Sequence, residues 1–226
     1  MKVTLVSYTQ NPELAMCMAV EIMKEKDPLK AAVCSDRPHK EACITEILKS
    51  RLRGALEFAT FEFLLEDVSR AFTHQLVRHR TFHFSQQSMR FFDASESAFR
   101  VPKGAFSERI NEHFESTRLF YQDLLADGCP TEDARSILPT NVCTKIMFGA
   151  TFRGLLELAE VRMCAQSQGE FREAMEQIKK EVEKVSPFLG GLMVPACERS
   201  GHCEFKSVYD RKCPKIKGGE RHGSGN

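Results

Sequence analysis

The chain has 226 residues, which is enough for one sizeable hydrophobic core, and no change in composition divides it into two domains. Lysine and arginine number 32 against 31 acidic residues, so the net charge of +1 does not fit a general nucleic-acid-binding protein. No apolar run could span a membrane, and residues 1–6 lack the cleavage pattern of a signal peptide. We therefore expect a cytoplasmic protein, without nucleic-acid or membrane partners, whose 9 cysteines are mostly reduced thiols.

The first third of the chain has the pattern of two strands and two helices. The strands are predicted over residues 2–7 and 57–66, and the second would bury Phe61, Phe63 and Leu65. Asn11-Pro12-Glu13 predicts a helix start, with a cap residue, a first-turn proline and an acid at the positive end of the dipole. Asp27-Pro28 ends that helix, whose predicted inward stripe is Leu14, Cys17, Met18 and Ile22. The second helix begins near Lys40, and its stripe is Ile44, Ile47, Leu48 and Leu52.

Five helices are predicted in the rest of the chain. A short one begins at Asp67-Val68-Ser69, buries Phe72 and Leu76, and leads into an irregular segment. A long helix covers residues 107–127 and ends at Gly128, with the stripe Ile110, Phe114, Tyr121 and Leu124. Thr131-Glu132-Asp133 caps a short helix that carries Arg135 and ends near Pro139. The last two stripes are Phe152, Leu155, Leu156, Ala159 and Met163, and then Phe171, Met175, Ile178, Val182 and Val185. Residues 1–217 are expected to form one domain and residues 218–226 a disordered tail.

Residues 78–90 are unusually rich in hydrogen-bond donors. This stretch contains three arginines, two histidines, two serines and two glutamines, and no acid. Arginine binds phosphate through two parallel hydrogen bonds and stays charged, so the stretch suits an anion pocket. The alternative is a solvated basic loop.

The order of residues in this stretch resembles a known family. Arg78-His79-Arg80, followed after seven residues by Ser88, is similar to the signature of the flavin-dependent thymidylate synthases. Further blocks resemble the family in the same order, and together they cover most of the chain. These blocks are His74-Gln75-Leu76-Val77, Ser85-Gln86-Gln87-Ser88-Met89-Arg90-Phe91, Ala134-Arg135-Ser136-Ile137-Leu138-Pro139, Arg162-Met163-Cys164, Gln168-Gly169-Glu170-Phe171-Arg172 and Gly201-His202-Cys203-Glu204.

The resemblance implies an α+β fold, with an antiparallel sheet packed with long helices, in a homotetramer whose active sites are shared between subunits. It implies reductive methylation of dUMP to dTMP, in which methylenetetrahydrofolate gives the carbon and NADPH reduces FAD. The residues that match the dUMP site are Gln75, Arg78, Gln86, Gln87, Ser88, Met89 (through its backbone), Arg90 and Arg135, with Gln75 and Arg135 from a neighbouring subunit. Those that match the FAD site are Arg78, His79, Arg80, Gln86, Thr151, Arg153 and Glu157. Arg162 matches the catalytic arginine held over the pyrimidine.

The chemistry of two of these residues follows from their type. Arg162 cannot act as a base, but it can stabilise negative charge that develops at N3 and O4 of the uracil ring. Ser88 has no histidine–acid relay in the sequence, so we interpret it as a phosphate or sugar ligand rather than a nucleophile.

The chain departs from the family pattern mainly on the flavin and folate side. Residues 52–58 lack the two expected histidines, and only the acid, Glu57, remains. The other changed positions are Thr151, Glu157, Gln166 and Gly169. Two alternatives therefore stay open: a divergent paralogue that acts on another pyrimidine nucleotide, and a nucleotide-binding homologue without synthase activity.

Simpler interpretations apply to other polar groups. Arg153 and Glu157 are four residues apart and could form an exposed helical ion pair instead of touching a cofactor.

The cysteines and histidine near the C-terminus lack paired Cys-x-x-Cys spacing, so we expect ordinary thiols rather than a metal site. These residues are Cys197, His202, Cys203 and Cys213. A nucleic-acid-binding role for the basic stretch and tail would need strongly salt-dependent binding, which the near-zero net charge does not favour.

Overall fold

The computed structural model describes residues 1–34, 36–50, 53–101 and 106–203, together with Cys213. Within these residues the strands are β1 (Lys2–Tyr8), β2 (Thr60–Ser69), β3 (His83–Gln86) and β4 (Cys143–Thr151). The helices are α1 (Pro12–Glu21), α2 (Pro28–Cys34), α3 (Arg37–Lys49), α4 (Arg70–Leu76), α5 (Ser107–Ala126), α6 (Thr131–Ala134), α7 (Phe152–Arg162), α8 (Gly169–Val185), α9 (Pro187–Leu192) and α10 (Ala196–Ser200). Short 3₁₀ turns cover Gly54–Phe58 and Arg135–Ile137. Leu52, the basic tail and the segment 218–226 predicted to be disordered lie outside the described residues.

The strands form one antiparallel sheet in the order β1-β2-β4-β3. The central strand β4 was not predicted, because its sequence contains Gly149 and Ala150, which have low strand propensity. Its backbone pairs with β2 on one side and with β3 on the other, and this pairing stabilises the strand. Residues 83–86, predicted to be irregular, form β3 for the same reason. The predicted α+β class is confirmed.

The prediction for β2 was right about its buried face and wrong about its end. All three side chains expected to face the core are fully buried: Phe61, Phe63 and Leu65. Residues 67–69, however, continue the strand instead of starting a helix. A bulge between Leu65 and Val68, with Asp67 at φ 55°, lets β2 resume pairing with β4. Ser69 then caps α4, because its Oγ accepts a hydrogen bond of 3.0 Å from the Phe72 N–H.

Ser69 also joins α4 to α8, and its removal should destabilise the fold. Its hydroxyl donates to Glu170 Oε2 (2.6 Å), and its N–H donates to Glu170 Oε1 (2.8 Å). Ser69→Ala is expected to lower the free energy of unfolding by about 2 kcal/mol, since a cap is lost and a buried carboxylate oxygen loses its donor. Urea unfolding measures this change. Ser116→Ala, on the exposed face of α5, should stay within about 0.5 kcal/mol of the parent. Equal losses in the two variants would contradict the prediction.

The long helices α5, α7 and α8 lie close to their predicted positions. The predicted stripe residues that are buried in them are Phe114, Tyr121, Phe152, Leu155, Leu156, Ala159, Phe171, Met175, Ile178 and Val182. In α8 the regular spacing of these residues allowed the prediction, because every one of them packs into the same core.

The prediction for the first two helices needs correction. Ile22 is 66% exposed, because α1 ends at Glu21 and its buried face consists of Met16, Cys17 and Val20. Asn11 occupies the N-cap position but makes no side-chain cap, since its backbone is left-handed with φ 52°. The helix α3 begins at Arg37 rather than near Lys40, because Asp36 Oδ1 accepts a hydrogen bond from the His39 N–H (2.9 Å).

Two hydrophobic clusters support the region that follows α4. The main core takes side chains from the sheet and from α1, α3, α4, α7 and α8. A smaller cluster contains Met89, Ala94, Tyr121, Ala134 and Val142, and it lies under the turn after β3. Among the described helices, none combines the length and the apolar character needed to cross a bilayer.

Candidate active site

The turn between α4 and β3 presents Arg78, His79 and Arg80. Both of its ends are anchored in the core, because Leu76 is fully buried and Phe82 is almost so. Arg78 and Arg80 are exposed, and neither forms an ion pair with an acid in the part of the chain that the structure describes. Both guanidinium groups are therefore free to bind an anion, and the solvated alternative fits their exposure equally well.

His79 differs from the two arginines because its ring is half-buried. The ring stacks on Phe82 with centroids 5.3 Å apart. Phe82 in turn lies so close to Gly154 that a Cβ added at that glycine would be 2.5 Å from Phe82 Cε1. Burial, then the nearby Arg162, lowers the pKa of His79 below its ordinary value of 6.5, and Glu157 opposes this shift. His79 Nε2 is buried and has no hydrogen-bond partner within the described residues. A neutral ring with an unsatisfied nitrogen is a typical feature of a ligand-binding position.

The lowered pKa of His79 has a consequence for stability. The contribution of the neutral ring is fully present above pH 6.5, and it is lost as the pH falls through the lowered folded value, because the unfolded chain binds a proton first. His79→Gln is therefore expected to flatten the decline in stability below pH 6.5, measured by urea unfolding at several pH values. His113→Gln, an exposed position on α5, is the control and should leave the decline unchanged. A similar effect of both variants would contradict this account.

Arg162 ends α7 and is held by an aromatic ring and an amide. Its guanidinium carbon lies 4.7 Å from the centroid of Phe171, and its Nη1 donates to Gln75 Oε1 (3.4 Å). Gln75 Nε2 in turn donates to Gln168 Oε1. Arg162 Nε is buried without a hydrogen-bond partner among the residues described, so part of the donor fork is available. Burial lowers the pKa of Arg162, but an arginine remains charged.

A second group of donors forms where the turn after β3 meets α6. Arg90 Nε donates to Glu132 Oε2 (2.9 Å), and Arg135 Nε donates to the Glu132 carbonyl (3.0 Å). Thr131 Oγ1 donates to the Arg90 carbonyl, and Ser88 Oγ accepts a hydrogen bond from the Arg90 N–H (3.3 Å). Residues 78–90 contain no acid, so the acidic partner of Arg90 comes from α6, as Glu132. The ion pair is half-exposed, with 55% and 49% of the side chains accessible, so a ligand can replace it at low cost.

Arg135 and Arg70 lie close enough at this end of the site for their charges to interact. The predicted cap of α6 by residues 131–133 is wrong, because Pro130 occupies the N-cap and Arg135 lies in the following 3₁₀ turn. Arg70, the first residue of α4, was not predicted as a site residue. Burial, then the charge of Arg135, lowers the pKa of Arg70, and no acid of the described ranges pairs with it. The feature of the sequence that could have pointed to Arg70 was its position on the helix that also carries Gln75.

Comparison with known proteins identifies the family of this chain. A family profile described as "Thymidylate synthase complementing protein" matches residues 4–188. A flavin-dependent thymidylate synthase from Geobacter sulfurreducens is 32% identical over 227 residues, covering 96% of this chain and 97% of the relative. One from Nitratidesulfovibrio vulgaris is 35% identical over 181 residues, or 74% of each chain. The chain belongs to the flavin-dependent thymidylate synthase family.

A solved structure shares the fold of this family member. The UMP/dUMP methylase PolB from Streptomyces cacaoi, bound with 5-Br dUMP, superposes with a TM-score of 0.73 at 22% identity. The match covers 84% of this chain and 93% of that structure. The resemblance to the flavin-dependent thymidylate synthases that the sequence indicated is therefore confirmed.

In this member of the flavin-dependent thymidylate synthase family, the glutamines after His83 are partly engaged in the fold. Gln86 Nε2 donates to Thr73 Oγ1 (2.9 Å), which ties β3 to α4. The Gln87 N–H donates to the Lys145 carbonyl (3.0 Å), which extends the pairing with β4. Met89 is buried in the smaller cluster, so only its backbone can reach a ligand. These contacts fix the backbone on which Ser88 and Arg90 stand.

The residues predicted to contact flavin from α7 form an exposed ion-pair network. Arg153 Nε donates to Glu157 Oε1 (3.0 Å), and its Nη1 donates to Glu57 Oε1 (2.8 Å). The alternative interpretation of Arg153 and Glu157 as an ion pair therefore matches the structure. Thr151 Oγ1 caps α7 by accepting a hydrogen bond from the Gly154 N–H (3.2 Å). A cofactor role for these residues remains a prediction.

The absence of a metal site at the C-terminal cysteines and histidine remains a prediction, and the four side chains concerned are among those that the structure describes. No three of them bring their ligand atoms close together. The residues concerned are Cys197, His202, Cys203 and Cys213.

Proposed function

We propose that this chain methylates dUMP to dTMP, with methylenetetrahydrofolate as the carbon donor and NADPH as the reductant. The observation that carries the proposal is a pair of donor groups at the two ends of α4. Arg162 with Gln75 lies at one end, and Arg135 with Arg70 lies at the other. In the proposed tetramer, Gln75 and Arg135 of one subunit contribute to the nucleotide site of its neighbour.

The phosphate is proposed to bind to the group around Arg90. A nucleotide monophosphate carries about two negative charges, and the guanidinium groups of Arg90, Arg135 and Arg78 can bind it through directional hydrogen bonds. Arg90 exchanges its exposed partner Glu132 for the phosphate in this proposal. Ser88 adds a hydroxyl, and it acts as a ligand because no base among the described residues contacts its Oγ.

The pyrimidine is proposed to bind at Arg162. Methylation at carbon 5 proceeds more easily when negative charge develops at N3 and O4 of the ring. A fixed guanidinium stabilises that charge without having to reorganise, and Phe171 and Gln75 hold Arg162 in place. Arg162 thus acts by electrostatics and not as a base.

The side chains around His79 fit a flavin. FAD, when bound, supplies the hydride that completes the methyl group. His79 presents a buried nitrogen without a partner in the described part of the chain, and Arg78 and Arg80 present guanidinium groups that suit a diphosphate. Arg153 can reach such a cofactor only after it leaves Glu57 and Glu157, so its predicted contact is the least supported of this set.

We also propose a cytoplasmic homotetramer with active sites shared between subunits. The exposed apolar side chains Leu119 and Phe120 on α5, which are 61% and 53% accessible, would be covered in such an assembly. The eight cysteines whose side chains the structure describes are free thiols, which fits the proposed location. Light scattering at several protein concentrations tests the assembly, and a monomer throughout would contradict it.

Turnover with a panel of pyrimidine nucleotides tests the proposed function. The purified chain, reconstituted with FAD, should be yellow and should form dTMP from dUMP when the folate and NADPH are supplied. Preferred turnover of UMP would instead indicate the divergent paralogue. A second candidate, a nucleotide-binding homologue without synthase activity, is motivated by the neutralised Arg153. It predicts dUMP binding without turnover. Absence of flavin binding after reconstitution would contradict the enzyme proposal.

A further inference from the structure

The helices α1 and α3 bring three metal-binding side chains together, and the ring of His39 lies beside one of them. Cys17 and Glu21 are four residues apart on α1, and His39 and Cys43 are four residues apart on α3, so each pair shares one helix face. The ligand atoms of Cys17, Glu21 and Cys43 all lie within 4.8 Å of one another. Glu21 Oε1 lies 4.0 Å from Cys43 Sγ and 3.7 Å from His39 Nε2.

We propose that these four side chains bind a zinc ion, with two ligands from each helix. Thiolate, imidazole and carboxylate are the ligands that Zn²⁺ takes in tetrahedral sites. Zinc–ligand distances of about 2.0–2.3 Å place tetrahedral ligand atoms about 3.3–3.8 Å apart. The distance from Glu21 Oε1 to His39 Nε2 (3.7 Å) falls inside that range, and the distance from Glu21 Oε1 to Cys43 Sγ (4.0 Å) lies just above it. Cys17, Glu21 and Cys43 already lie close enough for small side-chain movements to suffice, and the exposed His39 ring has to turn toward the two thiols. Both thiols release their protons to solvent on binding.

The burial of Glu21 is an independent reason to expect a cation. Its side chain is only 8% exposed, and a buried carboxylate is costly unless it is paired with positive charge. Within the described residues, its carboxylate contacts only the Cys43 thiol and the His39 ring, and no lysine or arginine pairs with it. His39 is 56% exposed at the mouth of the cluster and leaves a route for the ion to enter.

The site is distinct from the proposed active site. None of its four ligands belongs to the groups proposed to bind the nucleotide or the flavin. The ion would join α1 to α3, and so stabilise the folded chain by a free energy that rises with the logarithm of the free zinc concentration. Absence of dUMP turnover would therefore not contradict the zinc site, and absence of zinc would not contradict the proposed methylation.

Metal analysis of the purified full-length chain tests the proposal. After incubation with zinc under reducing conditions and desalting, we expect about one zinc ion per chain. Cys17→Ser and Cys43→Ser should each lower the zinc content to below about one tenth of that value, because a four-ligand site loses a thiolate. Cys129→Ser is the matched control, since the Cys129 thiol donates to the Pro130 carbonyl (3.8 Å) and packs against the smaller cluster, away from the proposed ligands, and it should keep its zinc.

Two further measurements cover the case in which a core variant fails to fold. Cobalt(II) bound to the parent chain should give sulfur-to-metal charge-transfer absorption, which reports thiolate ligands directly. His39→Ala removes an exposed ligand and should weaken zinc affinity by about tenfold or more while far-ultraviolet circular dichroism stays unchanged. Zinc content that is equal in Cys17→Ser, Cys43→Ser and the parent would overturn the proposal. So would a Cys17–Cys43 disulfide in the purified chain, zinc affinity unaffected by His39→Ala, or a parent chain that binds no zinc.

Discussion

Arg162→Ala is expected to lower kcat for dTMP formation by about 10²- to 10³-fold, because the variant loses the fixed positive charge that we propose to lie over the pyrimidine. The Michaelis constant for dUMP should change less, since the interaction strengthens as charge develops in the transition state. The fold should persist, because Arg162 is only partly buried and its stacking on Phe171 contributes about 1 kcal/mol. The measurement is steady-state turnover of protein reconstituted with FAD.

A matched arginine elsewhere in the chain separates catalysis from structure. Arg118 also lies over an aromatic ring, 5.8 Å from the centroid of Phe99, and is not part of the site. Arg118→Ala should therefore keep its turnover. Arg162→Lys keeps the charge but loses the planar fork, so it should fall between Arg162→Ala and the parent. Turnover by Arg162→Ala within about threefold of the parent would show that Arg162 does not act on the reacting ring.

Arg90→Ala is expected to weaken dUMP binding by about 10- to 100-fold, because a charged group loses a directional hydrogen bond to phosphate. Stability should change by no more than about 0.5 kcal/mol, since the Arg90–Glu132 pair is half-exposed and screened by solvent. Calorimetric titration with dUMP measures the affinity, and urea unfolding measures the stability.

Three controls sharpen this second prediction. Competition by deoxyuridine, which lacks the phosphate, should be equally effective against the parent and Arg90→Ala. Glu132→Gln removes the internal partner of Arg90 and should leave dUMP affinity equal or several-fold tighter. Arg37→Ala removes a comparable exposed ion pair with Glu41 on α3 and should not affect dUMP. A large loss of stability in Arg90→Ala, or an equal loss of deoxyuridine binding, would identify Arg90 as a structural residue.

Features of the fold that repeat locally could be predicted from the sequence. The alternation of Phe61, Phe63 and Leu65 indicated a strand with one buried face, and the spacing in α7 and α8 indicated their inward stripes. These patterns are readable because each element meets one core, so burial follows the period of the backbone. The ends of elements were less predictable, because the bulge at Asp67 and the cap at Asp36 depend on single local contacts.

The sequence by itself determined the family, because the ordered blocks around residues 78–90 and Arg162 identify it without coordinates. It also determined the donor-rich character of the turn after α4. Only the tertiary structure decided which side chains pair with those donors. Glu132 pairs with Arg90 across a sequence separation of 42 residues, and Gln75 contacts Arg162 across a separation of 87 residues. The strand β4 and the Cys17, Glu21, His39 and Cys43 cluster likewise arise from pairing between distant segments. The physical reason is that hydrophobic periodicity shows which face of an element is buried, but it carries no information about which side chains of different elements come into contact.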